Sequence, residues 1–275
     1  RPASPRQETG RVLVPLAAPQ RVDAIMDLAL MLRPDRCAEP IYPLHVASSG
    51  PDESARVAVA ERLLGGAVAR AAAANVSAIP LARLDSNVAG GILRAATEFR
   101  VGAILMGWQP QRRAISLMQG IPERVVTQST QAVLIYHPGQ PLATAKRLWV
   151  LAPPLIEHHP GLPDALRLVN RIAARAGTHV LLAATDTTRR SIETIAGMRP
   201  GAGAKEPPAL ATWTEVTTAV ARARAEGDAL LLLSVRRGAL AWQPSLERLP
   251  IEWTARWPEA NLLIVSPPLV PANGD

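Results

Sequence analysis

The chain has 275 residues, of which 48% are hydrophobic and 19% charged, with a formal charge of +7. That is enough apolar material for one large domain or two of about 135 residues, and it excludes a disordered or collagen-like chain. One cysteine excludes a disulfide framework and a thiolate metal site, and the basic excess, nearly all arginine, is spread over both halves without forming a tail.

Positions 1–10 open as Arg1-Pro2-Ala3-Ser4-Pro5, without an initiator methionine, and read as a polar linker continuing from a longer polypeptide. Nothing approaches the ~18 consecutive apolar residues of a membrane span. Five β-type runs follow: 12–16, 41–46, 78–82, 103–106 and 132–136. They are apolar on both faces, as expected of strands covered by helices on both sides. Pro15, Pro43 and Pro80 point to strand ends or edge positions. Between the runs the apolar spacing turns helical. Val22, Ile25, Met26, Ala29 and Leu30 share one face, and Val88, Ile92, Ala95, Ala96 and Phe99 share another. The longest helix is expected from Asp52 to Ala74. Asp23 and Asp27 fall opposite the apolar stripe, facing solvent.

His137-Pro138-Gly139-Gln140-Pro141 reads as the start of a linker, and the strand–helix order then repeats. Strands are expected at 148–152, 180–184, near Leu210–Trp213, at 229–234 and at 262–266. Helices are expected from Leu162 to Ala176 and from Glu215 to Ala225. Residues 197–208, rich in Gly and Pro, form a loop, and 267–275 a tail. Repeated strand–helix–strand units with right-handed crossovers give parallel sheets. The predicted fold is α/β: two tandem doubly wound units at 11–137 and 147–266, joined by 138–146, with a single continuous sheet as the competing reading. The fifth strands, 132–136 and 261–265, are the candidate contact edges between them.

The segment from Met106-Gly107-Trp108-Gln109-Pro110 to Gln119-Gly120 is the most informative for chemistry. It joins a fourth parallel strand to a helix opening near Pro122, the place where such sheets bind ligands beside a helix amino terminus. Gly107 and Gly120 allow close backbone approach, and Arg112 and Arg113 offer charge-assisted bonds to phosphate. An ordinary solvated loop is the competing reading. His158 and His159, adjacent in extended chain, point opposite ways and make a poor chelating pair. His45 is expected to be bonded within the fold, His137 to lie in the linker, and Trp149 to lie in the core. Ser234 has no histidine placed to activate it, and Cys37 sits in a loop. No catalytic set emerges, so no enzyme activity is expected. Dispersed charge and 3% aromatic residues argue against nucleic acid.

The residues from Arg11 to Ser266 resemble a tandem pair of universal stress protein units. Ala103-Ile104-Leu105-Met106-Gly107-Trp108, Gly120-Ile121-Pro122-Glu123-Arg124-Val125-Val126, Val133-Leu134-Ile135-Tyr136 and Arg147 to Pro154 are similar, more closely, to the cytosolic C-terminal region of bacterial cation/proton antiporters. The resemblance implies strand order 3-2-1-4-5 in each unit. ATP-binding members of the stress family carry Gly, two residues, Gly, nine residues, then Gly with Ser or Thr. Here Gly107, Pro110, Gly120 and Ile121 fall at those positions, and Leu16-Ala17 replaces the expected adenosine-contacting Asp, with Val46 the remaining candidate nearby. Pro110 lacks an N–H and Ile121 a hydroxyl, so the nucleotide site is degraded. In the second copy Ser234, Arg237 and Glu247 take the glycine positions.

The resemblance therefore implies a non-catalytic regulatory or dimerisation domain on the cytoplasmic side of the membrane. Its partners would be the transport domain of the same chain and a second copy. The alternative is a freestanding tandem stress protein binding ATP or another adenine nucleotide. No resident cofactor is expected, and ATP, AMP or a cyclic dinucleotide are the ligands left open.

Overall fold

The computed structural model describes residues 10–47, 53–110, 120–196 and 210–269. Two compact units divide the chain, residues 1–105 and 106–275. In the first, β1 (Val12–Pro15), β2 (Ile41–Ala47), β3 (Leu81–Leu84) and the start of β4 (Ala103–Gly107) form a parallel sheet in the order β3-β2-β1-β4. The intervening helices are α1 (Val22–Leu32), α2 (Glu53–Ala73) and α3 (Val88–Glu98). The first two pack on each other. The crossover to β4 reverses direction across the sheet, which under the right-handed rule puts α3 on the other face. Leu13, Met26, Ala29, Ile41, Leu44 and Ile104 are fully buried between these layers. Each large side chain among them stabilises the fold by roughly 1.5–3 kcal/mol. Asp27 does not simply face solvent: Arg70 of α2 holds it at 2.5 Å.

Pro43 corrects one expectation, because it lies inside β2, flanked by β1 and β3, not at an edge. Ile41 gives its N–H to the Ser77 carbonyl and accepts from the Ile79 N–H, so odd positions of β2 face β3. The next odd position is Pro43, and there the ladder lapses: regular pairing resumes only at Leu44 and Leu81. Two prolines, Pro43 and Pro80, meet where no N–H is required.

The second unit holds β5 (Ala132–His137), β6 (Arg147–Leu151), β7 (His179–Ala183), β8 (Ala229–Leu233) and β9 (Leu262–Ser266), in the order β5-β9-β8-β6-β7. Its helices are α4 (Ile121–Gln128), α5 (Leu162–Ala176), α6 (Asp186–Ala196), α7 (Trp213–Ala223) and α8 (Ser245–Arg256). The Trp108 N–H, just past β4, donates to the Tyr136 carbonyl of β5, which completes the order 3-2-1-4-5 of the first repeat. The second repeat follows the same order with one change. No third strand forms among the described residues, since Trp213 opens α7 behind a capping box of Thr212 and Glu215. The loop expected at 197–208 lies outside the described residues.

The two fifth strands pair antiparallel, from Val133↔Ser266 to His137↔Leu262, so the second repeat's sheet continues past β9 into β5. Buried Asn261 ties this seam to the segment that follows. It accepts from the Tyr136 hydroxyl at 2.7 Å and the Gly139 N–H at 3.0 Å, and donates to the Gln140 carbonyl at 2.7 Å. Gly139 is required by close approach, since a Cβ there would collide with the Glu259 carbonyl oxygen. His137 is thus a buried strand residue, not a linker residue. Trp149 is only half-buried, its indole N–H donating to Asp228 at 3.0 Å.

Candidate functional site

In the first repeat, the loop after β4 starts from a fixed point. Beyond the Trp108 N–H bond, His137 sets Nδ1 at 3.3 Å from the Trp108 carbonyl and packs edge-on against its indole. Gly107 and Gln109 are exposed and Pro110 half-buried. Residues 111–119, with Arg112, Arg113 and Gln119, lie outside the described residues. The chain re-enters at Gly120, the N-cap of α4, with φ +75°, where no side chain caps the helix. A Cβ at Gly120 would meet nothing within 4 Å. Ile121 is 43% exposed and offers no polar group, and Pro122 follows in the first turn. The first-turn N–H groups of Ile121 and Glu123 lie at the positive end of the helix dipole, and no side chain among the described residues caps them.

The remaining candidates, Leu16, Ala17 and Val46, belong to the first unit. Leu16 is buried; its N–H donates to the Leu44 carbonyl at 2.8 Å and its carbonyl faces His45 Nδ1 at 3.0 Å. Ala17 is exposed, and Val46 is half-buried against Gly91 of α3. Sequence reading missed a cavity of about 160 Å³ in this unit, lined by His45, Ala47, Val57, Ala60, Ala82 and Leu84 among others. Three alanines, Ala47, Ala60 and Ala82, are among its lining residues, and two arginines, Arg56 and Arg83, line it as well.

In the second repeat the corresponding loop is internally satisfied. Arg237 makes a bidentate ion pair with Glu247 of α8, both contacts at 2.6 Å, and the Trp242 indole N–H donates to the same carboxylate at 3.3 Å. At the position aligned with Gly120, the Glu247 carboxylate is thus held by its own counter-ion. That pairing holds the Arg237 guanidinium above its ordinary pKa. Arg237 also stands 3.7 Å from Glu123 in the first turn of α4.

Other singled-out residues have structural partners. His159 Nδ1 accepts from the Gly161 N–H at 3.1 Å, and burial, with a smaller push from Arg236, lowers its pKa. Asp228 is raised by burial, but bonds from Arg147, the Ala225 N–H and Trp149 leave it below the usual carboxylate value. No group of three or more His, Cys, Asp or Glu suited to a metal ion occurs among the described residues. Nor is any helix among them long and apolar enough to cross a membrane.

The residues present do not fit a triphosphate. Pro110 gives no N–H, Ile121 no hydroxyl, and the Glu123 carboxylate in the first turn of α4 would repel further negative charge.

No family model matches the sequence, and no curated protein is detectably similar to it. Several solved structures share its fold. A universal stress protein from Archaeoglobus fulgidus is 14% identical, with 95% of this chain and 97% of that one covered and a TM-score of 0.58. A protein of unknown function from Pseudomonas aeruginosa is 12% identical, over 95% and 94%, at 0.56. The cytoplasmic domain of a prokaryotic cation chloride cotransporter is 10% identical, over 94% and 95%, at 0.51. At such identities the likeness is one of fold, and the chain accordingly has the tandem α/β fold seen in universal stress proteins.

Proposed function

We propose that this chain is a non-catalytic sensor of an adenine nucleotide, with the phosphate end taken by the first repeat at the amino terminus of α4. The observation that carries the reading is Gly120: a positive-φ N-cap with no side-chain cap, where an added Cβ would meet no described atom within 4 Å. A monophosphate is favoured over ATP, because the loop keeps Gly107 and Gly120 but has Pro110, without an N–H, and Ile121, without a hydroxyl, at two of the family's phosphate-contacting positions. Calorimetric titration with AMP and Mg-ATP tests it. The expected result is measurable AMP binding, with Mg-ATP weaker than about 1 mM. Gly120→Asp should abolish the AMP signal by filling the space and repelling phosphate. Low-micromolar Mg-ATP binding would overturn the choice of ligand, and silence towards every adenine nucleotide would overturn the reading.

A second reading makes the pair the regulatory or dimerising part of a cation/proton antiporter on the cytoplasmic side of the membrane. It is supported by the antiporter-like segments 103–108, 120–126 and 147–154, and by the transporter-derived structure that shares the fold. A soluble part biases transport only if its contacts differ between transporter states. Tethering raises the effective concentration of two such parts, so they would pair in the intact protein even if weakly associating alone. Cation/proton exchange in proteoliposomes should then respond in rate or pH profile to truncation before Arg11. Identical profiles with and without it would exclude this reading.

A further inference from the structure

Three of the four hydrogen bonds of Arg236 leave its own repeat. It follows β8, is 7% exposed, and spends its guanidinium on backbone carbonyls: Nε to Val126 at 2.7 Å, Nη1 to Pro267 at 2.6 Å, and Nη2 to Ser129 at 2.9 Å and Gln131 at 3.1 Å. No carboxylate among the described residues pairs with it. Burial pulls its pKa down to about 10, which leaves it charged at neutral pH. Such a cation is tolerated only where its neighbours carry partial negative charge. The Val126 carbonyl does, because it lies in the last turn of α4 at the negative pole of the helix dipole, and the Ser129 carbonyl follows at the C-cap. Arg237, the next residue, reaches Glu123 in the first turn of the same helix. An eight-residue helix is only about 12 Å long, so two successive side chains touch both of its ends.

The sequence of α4 does not hold the helix by itself. Its N-cap offers no side chain, and the Ser129 hydroxyl is spent on Gln131. Helices this short are marginal without tertiary support. We infer that Arg236 is a positioning residue for α4, so that the second repeat sets where Gly120 and the first-turn amides stand. The loop whose arginine is paired with Glu247 would thus control the candidate anion position of the first repeat. The ligand part of this inference rests on the nucleotide reading above, whereas the clamp does not.

The test uses the full chain with Arg236→Met and Arg236→Lys, followed by amide hydrogen exchange and by AMP titration of the folded protein. In Arg236→Met the amides of residues 124–131 should exchange at least about tenfold faster relative to those of β6 and β8, and AMP affinity should fall by about as much. Arg236→Lys keeps the charge but cannot reach four carbonyls at once, and should fall between. Where Arg236→Met does not fold, Arg236→Lys carries the comparison. Uniform acceleration of all amides, or a loosened α4 with unchanged AMP affinity, would overturn the positioning role. A wild-type protein that binds no AMP defeats the nucleotide reading alone, and the exchange pattern still decides the clamp.

Discussion

The loops after β4 and after β8 occupy the same place in the two repeats and have opposite chemistry. The first ends in a glycine that leaves a helix terminus open; the second fills itself with Arg237, Glu247 and Trp242. The difference shows how a duplicated fold divides its labour. A self-neutralised loop needs no ligand, and its spare arginine, Arg236, becomes available as a cap for a helix of the other repeat.

The comparison is most severely strained by Arg236→Met. It strands four carbonyls, of which Val126 is a helix-end acceptor, and should lower the local opening free energy of α4 by about 1–3 kcal/mol, read from amide exchange of residues 124–131, with a smaller loss in urea denaturation. Gly120→Ala probes the first loop. With nothing near the added methyl, its cost is backbone strain alone, about 1–3 kcal/mol, and thermal melting should report it without loss of the fold.

A subtler effect concerns His159, whose folded pKa lies below its ordinary 6.5. The unfolded chain then binds the extra proton first, so stability is full above pH 6.5 and declines as pH falls through 6.5 towards the folded value. Protonation at Nδ1 also removes the acceptor for the Gly161 N–H. His159→Gln should flatten this slope, and Arg236→Met should shrink it by removing the second cause. Smallest of all should be Glu247→Ala. Arg237 is solvent-exposed, can rehydrate and keeps Glu123 at 3.7 Å, so melting should shift only slightly while the second loop loses its bidentate partner. A large loss there would mean that the second loop is structural in its own right, and would blur the contrast between the repeats.

Much of the fold was legible in the residues. Runs such as 103–106 and 262–266 are apolar at every position because both faces of a parallel sheet are covered, and helix stripes such as Leu162 to Ala176 carry the 3.6 period. The third strand of the second repeat was misread although its correction was also written there: Thr212 and Glu215 form a capping box, which marks a helix start. In the candidate site, the spacing of Gly107, Pro110 and Gly120 was readable, as was the loss of Ser or Thr at Ile121.

What the sequence determined by itself is therefore local: which segments become strands or helices, and which motif positions keep or lose a donor. Tertiary structure alone decided that Pro43 falls where the ladder lapses, that β5 and β9 meet antiparallel, and that Arg236 serves α4. The reason is physical. Periodicity and capping arise within a few residues of chain, whereas three of the four carbonyls that Arg236 holds lie more than a hundred positions away. A carbonyl is the same in every residue, and only the folded chain decides where it points.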